Sequence, residues 1–181
     1  MAKKVSFSNE HQEISHVEEH YTDVTEATKK YFKPQTGEYP ERFSGYSAAE
    51  LTFELKERLS ELNHTSSLSI LSAIEAAFRI DYLQRCYRKK KDPVSRAFRE
   101  IYKEKLSKAS FERDILYVWK QETNAPNEIM GQLKGALKYR HWLAHGRYWE
   151  PKMGRDKYDF QSIYLLSQMV FSSFPFEGVS A

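Results

Sequence analysis

Ser67-Leu68-Ser69-Ile70-Leu71-Ser72-Ala73-Ile74-Glu75-Ala76-Ala77-Phe78-Arg79-Ile80 is the stretch that settles what kind of fold this is. Its apolar residues lie nearly all the way round a helix rather than on one stripe, which marks a helix covered on every side. The segment 67–91 therefore reads as a central helix. Three charges interrupt it: Glu75, Arg79 and Asp81. Glu75 and Arg79 stand at i and i+4, on one face, where they can pair. Buried charges are costly without partners. Two readings follow: an internal ion pair, or support for a polar site on a facing helix. The segment leaves through Arg85, Arg88, Lys89, Lys90 and Lys91. These cations complement a helix C-terminus; Arg88 and Lys89 are also candidates for the rim of a phosphate-binding surface.

On the N-terminal side, Ile14, Val17, Tyr21, Val24, Thr28 and Tyr31 recur at steps of three and four until Pro34. This spacing predicts an acidic amphipathic helix over about 9–32, followed by a Pro/Gly loop over 33–46. Ser47-Ala48-Ala49-Glu50 is a capping box, and Leu51, Leu55, Leu59 and Leu62 continue it as a second helix. Asn63-His64-Thr65-Ser66 reads as a break before the central helix. On the C-terminal side, Asp92-Pro93 places an N-cap and a first-turn proline ahead of Val94, Phe98, Ile101 and Leu106. Phe111 to Trp119 gives a short helix. Ile129, Leu133, Ala136, Leu137 and Trp142 mark another, ending near Gly146. After a basic loop over 150–157, Asp159 caps a last helix that Pro175 limits.

No alternating strand pattern interrupts this sequence. The expected fold is all-α, a bundle of about six or seven helices with two long central ones. Residues 1–46 read as an N-terminal acidic helix and loop, and residues 47–181 as the main helical domain of a single compact unit.

The 181 residues are 40% hydrophobic and 29% charged, ordinary for a soluble globular chain. No apolar run approaches the roughly 20 residues of a membrane span, and no apolar stretch follows Lys3-Lys4 as a secretory signal requires. Cys86 is the one cysteine, so an internal disulfide is excluded and a cytoplasmic setting is expected; it reads as a small packing residue. Residues 1–62 carry 8 Lys and Arg against 12 Asp and Glu, a net −4, whereas the remainder carries 20 against 13, a net +7. The positive field therefore belongs to the second part, as suits an anionic partner such as RNA.

Within that part stands Tyr139-Arg140-His141-Trp142-Leu143-Ala144-His145-Gly146-Arg147-Tyr148-Trp149. His141 and His145 fall one turn apart on one face. Arg140 and His145 are five apart, roughly 140° around a regular helix. Either Gly146 loosens the helix end, or the site lies between two chains. Imidazole can take a proton from a ribose 2′-hydroxyl or give one to a leaving oxygen. A guanidinium can hold phosphate oxygens and offset charge in the transition state. Arg147, Tyr148 and Trp149 set aromatics beside a cation, the composition of a single-stranded RNA groove.

Arg140, four intervening residues and His145, with polar His141 after the arginine and Gly146 after the histidine, resemble the Arg-x4-6-His motif of the HEPN superfamily. The similarity spans about residues 47–175. It implies a helical bundle with two long helices and a metal-independent endoribonuclease without cofactor. It further implies a homodimer acting on RNA in a toxin–antitoxin or phage-defence setting, with an antitoxin or other partner protein. On this resemblance Arg140 and His145 are catalytic, His141 assists, and Glu75 with Arg79 supports the site. Two rivals come from other classes. His141 and His145 could bind a metal, but no Glu follows His141 and no set of inward acids accompanies them. Alternatively the stretch serves a non-catalytic module for RNA, a nucleotide or a protein.

Overall fold

The helix that runs from Ala48 to Tyr87 is the axis of the molecule. The computed structural model describes residues 4–8, 10, 12–34, 37–153 and 157–178; the regular elements among them are helices, with no strand. The helices are α1 (Ile14–Phe32), α2 (Ala48–Tyr87), α3 (Pro93–Lys105), α4 (Tyr117–Glu122), α5 (Asn127–Ala144) and α6 (Phe160–Ser173). A π-helical turn, Phe111–Leu116, leads directly into α4.

The capping box forms as the sequence predicts: Ser47 Oγ accepts from Glu50 N at 3.3 Å, and Glu50 Oε2 accepts from Ser47 N at 2.8 Å. The expected break at Asn63–Ser66 does not form. Residues 48–87 are one unbroken helix of 40 residues, about 60 Å long at 1.5 Å per residue. None of the four residues is Gly or Pro, and Asn63, His64 and Thr65 find partners that leave the helix intact. Thr65 Oγ1 donates back to Glu61 O and Leu62 O at 3.0 and 3.1 Å. Asn63 Oδ1 accepts from Phe160 N at 2.6 Å, satisfying an orphan N–H at the start of α6. His64 faces Arg147.

The other helices take their direction from α2. Helix α5 runs antiparallel to it, with Arg140 against Glu75 and Arg147 against Glu61. Helix α6 runs parallel, from Asn63 to the ring contact of Phe174 with Phe78. Helix α1 returns antiparallel, Tyr21 stacking on Phe160 at 3.8 Å between ring centroids. Phe78 is fully buried and its ring meets those of Phe111, Trp119, Phe174 and Phe176. Cys86 is buried in the same core, and burial pushes its thiol up to about 12, so it packs as an apolar residue.

A charged knot closes the far end of the bundle. Arg85, 6% exposed, donates from Nε to Asp81 Oδ1 at 2.7 Å, from Nη1 to Asp92 Oδ1 at 3.2 Å and from Nη2 to Pro175 O at 2.7 Å. Its guanidinium also lies 5.1 Å from the centre of the Trp119 ring. Asp81 accepts from Glu177 N at 2.8 Å. One arginine thus joins α2, the N-cap of α3, α4 and the chain after α6. Burial raises the Asp81 carboxyl to about 6, although the Arg85 charge pulls it the other way. Among the described residues no helix is long and apolar enough to cross a membrane.

Candidate functional site

Helix α5 buries Ile129, Leu133, Ala136, Leu137 and Leu143 against the bundle, leaving its polar residues to the edge. The helix ends in a Schellman arrangement. Arg147 N donates to Trp142 O at 3.1 Å and Gly146 N to Leu143 O at 3.4 Å, with Gly146 at φ 78°. A glycine is favoured there because a Cβ at positive φ crowds the adjacent backbone. The turn places His145 at the helix end and sends Tyr148 and Trp149 back over the helix. Trp142 Nε1 then donates to Trp149 O at 2.7 Å, fixing the returning segment.

A cleft of about 600 Å³ opens between α5, the π turn and the 149–153 segment. Arg140 and His141 line it, with Glu75 from α2, Arg113 from the π turn, and Trp149 and Lys152 from the returning segment. Glu75 joins two arginines: Oε1 accepts from Arg79 Nε at 2.8 Å and Oε2 lies 3.1 Å from Arg140 Nη2. Arg79 Nη1 donates in turn to Ala109 O at 3.1 Å. Glu75 and Arg79 thus form an ion pair within α2, and Glu75 also reaches Arg140 on the facing helix. The Arg140 Nε is buried with no partner among the described residues. The rings of His141 and His145 lie 4.3 Å apart, and Trp149 lies 5.6 Å from the first and 6.5 Å from the second.

No family model, curated protein or solved structure matches this chain.

Not every residue singled out in the sequence meets in the cleft. Arg140, His141, Trp149 and Glu75 do, and Arg79 stands behind Glu75. His145 stands beside His141 but does not line the cavity. Arg147 is turned the other way. Its Nη2 lies 2.7 Å from Glu61 Oε2 and its Nη1 lies 2.6 Å from His64 Nδ1, so it fastens α5 to α2 rather than facing a ligand. Burial, reinforced by the Arg147 charge, holds His64 below the usual imidazole range, which keeps its ring an acceptor for Arg147. Tyr148 projects outward, 84% exposed. Arg88 and Lys89 lie at the end of α2, about 20 Å along the axis from Glu75 at 1.5 Å per residue, and Arg88 is paired with Glu177 at 3.0 Å. They belong to the charged end near Asp81, not to the cleft.

Sequence reasoning missed Arg113, Lys138 and Lys152, which add three cations to the lining. Lys138 precedes His141 by three, a neighbour on the same helix face, and was legible in principle. Arg113 and Lys152 reach the cleft through tertiary folding. Among the described residues no three His, Cys, Asp or Glu side chains gather as metal ligands do.

Glu75→Ala tests the support. Its side chain is only 16% exposed and bonds two arginines. Removing it costs about 1–3 kcal/mol for the charges left unpaired, measured by chemical denaturation, and loosens Arg140. Glu75→Gln, which keeps one acceptor, falls between. A variant as stable as the parent would show that solvent replaces the carboxylate.

Proposed function

We propose that this chain is a HEPN-type, metal-independent endoribonuclease that leaves a 2′,3′-cyclic phosphate. The observation that carries the reading is the arginine held by a carboxylate on a basic cleft, with two imidazoles one turn apart at its edge. The substrate's 2′-oxygen attacks the adjacent phosphorus, and the bond from phosphorus to the 5′-oxygen breaks. A tethered nucleophile replaces a bimolecular attack. His145, with His141 beside it, accepts the 2′-hydroxyl proton and returns a proton to the leaving 5′-oxygen. Arg140 offsets the charge that grows on the phosphate oxygens. The resemblance adds the setting: a homodimer, in toxin–antitoxin or phage-defence biology with a partner protein. A paired unit also suits His145, which in one chain stands outside the cleft that holds Arg140.

That same placement of His145 is what favours the rival reading, a module that binds RNA or a nucleotide without cutting it. One experiment separates the two. Purified protein, dimeric by light scattering, is given RNA in EDTA and RNA with a 2′-deoxy substitution at the cut position. The nuclease cuts the first and not the second. Loss of cutting in EDTA that Zn²⁺ or Mg²⁺ restores refutes the metal-free mechanism, and cutting of plain single-stranded DNA refutes attack by the 2′-hydroxyl. A folded dimer that cuts no RNA is the binding module.

A further inference from the structure

We infer that the cleft seats one unpaired nucleotide of a single-stranded RNA, its base against the Trp149 indole and its phosphate among Arg113, Lys152 and Arg140. The inference rests on RNA being the substrate and adds which form of RNA is taken and which residues outside the Arg/His stretch select it.

Three observations carry it. First, the cavity of about 600 Å³ has the size of a small-molecule site, about 300–1,000 Å³, and cannot admit a duplex. A base within a duplex must leave its stack to enter, at a cost of a few kcal/mol. Second, the indole is set in advance. The Trp142 indole N–H holds the Trp149 carbonyl at 2.7 Å, and the Trp149 ring rests 5.6 Å from His141. A platform fixed before binding loses little freedom when a base stacks on it.

Third, the opposite wall is built on a π turn, a rare geometry that is frequent at functional sites. Ile115 N donates to Ser110 O at 3.1 Å, five residues back. Asp114 is occupied by Lys105 Nζ at 2.6 Å and Ser110 N at 2.7 Å, which locks the turn. Arg113 is left at the cleft. Among the described residues, neither Arg113 nor Lys152 has an ion pair like those that hold Arg79, Arg140 and Arg147. Cations so placed beside a stacking ring match the two needs of a nucleotide, a flat base and an anionic phosphate.

The test uses a short fluorescein-labelled RNA with 2′-O-methyl riboses throughout, which cannot be cut. Its dissociation constant is read by anisotropy over a salt series. Trp149→Ala weakens binding about 5- to 100-fold, the loss of one stacked base, while Trp149→Phe keeps most of it. Arg113→Ala weakens binding and lowers the salt slope by about 0.7, one phosphate contact on a single strand. Lys29→Ala, an equal loss of charge on α1, changes neither. The pre-annealed duplex of the same sequence competes more than about tenfold worse, the cost of unstacking. Wild-type protein that does not bind the probe overturns the inference. So do Trp149→Ala and Arg113→Ala variants that bind within twofold of wild type, and so does a duplex that competes equally. Because the probe is uncleavable, a protein that shows these shifts yet cuts no RNA refutes the nuclease and leaves the subsite standing.

Discussion

His145→Ala and Arg140→Ala are each expected to lower the rate of the proposed RNA cleavage by about two to four orders of magnitude, the range for losing a proton-transfer group or a preorganised charge. Neither moves the melting temperature far. The His145 side chain is exposed, and the helix end at that position is made by its backbone N–H on His141 O at 3.1 Å, which truncation leaves in place. Arg140 is more deeply tied, with a side chain 33% exposed and a bond to Glu75. Its loss still leaves Glu75 with Arg79, so no isolated carboxylate is created. The expected cost is about 1 kcal/mol, as for a partly solvated ion pair. Cleavage rates on a labelled RNA, read beside circular dichroism and thermal melts, check both halves. A variant that unfolds, or one that cuts at the parental rate, marks its residue as structural and the motif as misread.

Arg85→Ala is the most damaging single change expected for stability, about 3–5 kcal/mol near pH 8. The side chain that goes is the one that joins Asp81, Asp92, the Pro175 carbonyl and the Trp119 ring. The sign of the pH dependence identifies the cause. Asp81 already sits at about 6 in the folded protein, above its ordinary 3.8. A carboxyl raised by folding contributes stability below its unfolded value, and that contribution is lost as pH rises through the folded one. Removing Arg85 takes away the charge that restrained Asp81, so its folded value climbs further. The penalty is therefore larger near pH 8 than near pH 5. Denaturant midpoints for parent and variant at the two pH values measure this. A penalty independent of pH would assign the damage to lost packing over Trp119 instead.

The features legible in the sequence were those whose partners are close along the chain. Ser47 with Glu50, Asp92 ahead of Pro93, and Glu75 with Arg79 all act within four residues, and local chemistry predicts each of them. So do the helical periods that make the fold all-α. Asn63–Ser66 misled for the same reason. Four consecutive polar residues look like a break when judged against their neighbours. Here Asn63 and His64 answer to Phe160 and Arg147, 97 and 83 residues away. Arg147 illustrates the converse. Beside Tyr148 and Trp149 it has the composition of an RNA contact, yet Glu61 and His64 occupy it. Arg113 could not be placed at all from sequence, because only the π turn aims it at the cleft.

The unbroken α2 also fixes what lengths this chain can vary. His64, which holds Arg147, and Glu75, which holds Arg140, are eleven residues apart on one rigid rod. Eleven residues make three turns and about 20°, so both anchors look at α5. Deleting or inserting one residue between them swings the second by about 100° away from the first. The helix keeps its two clamps in phase like cams on a shaft, so within that interval the number of residues is fixed as firmly as the clamps themselves.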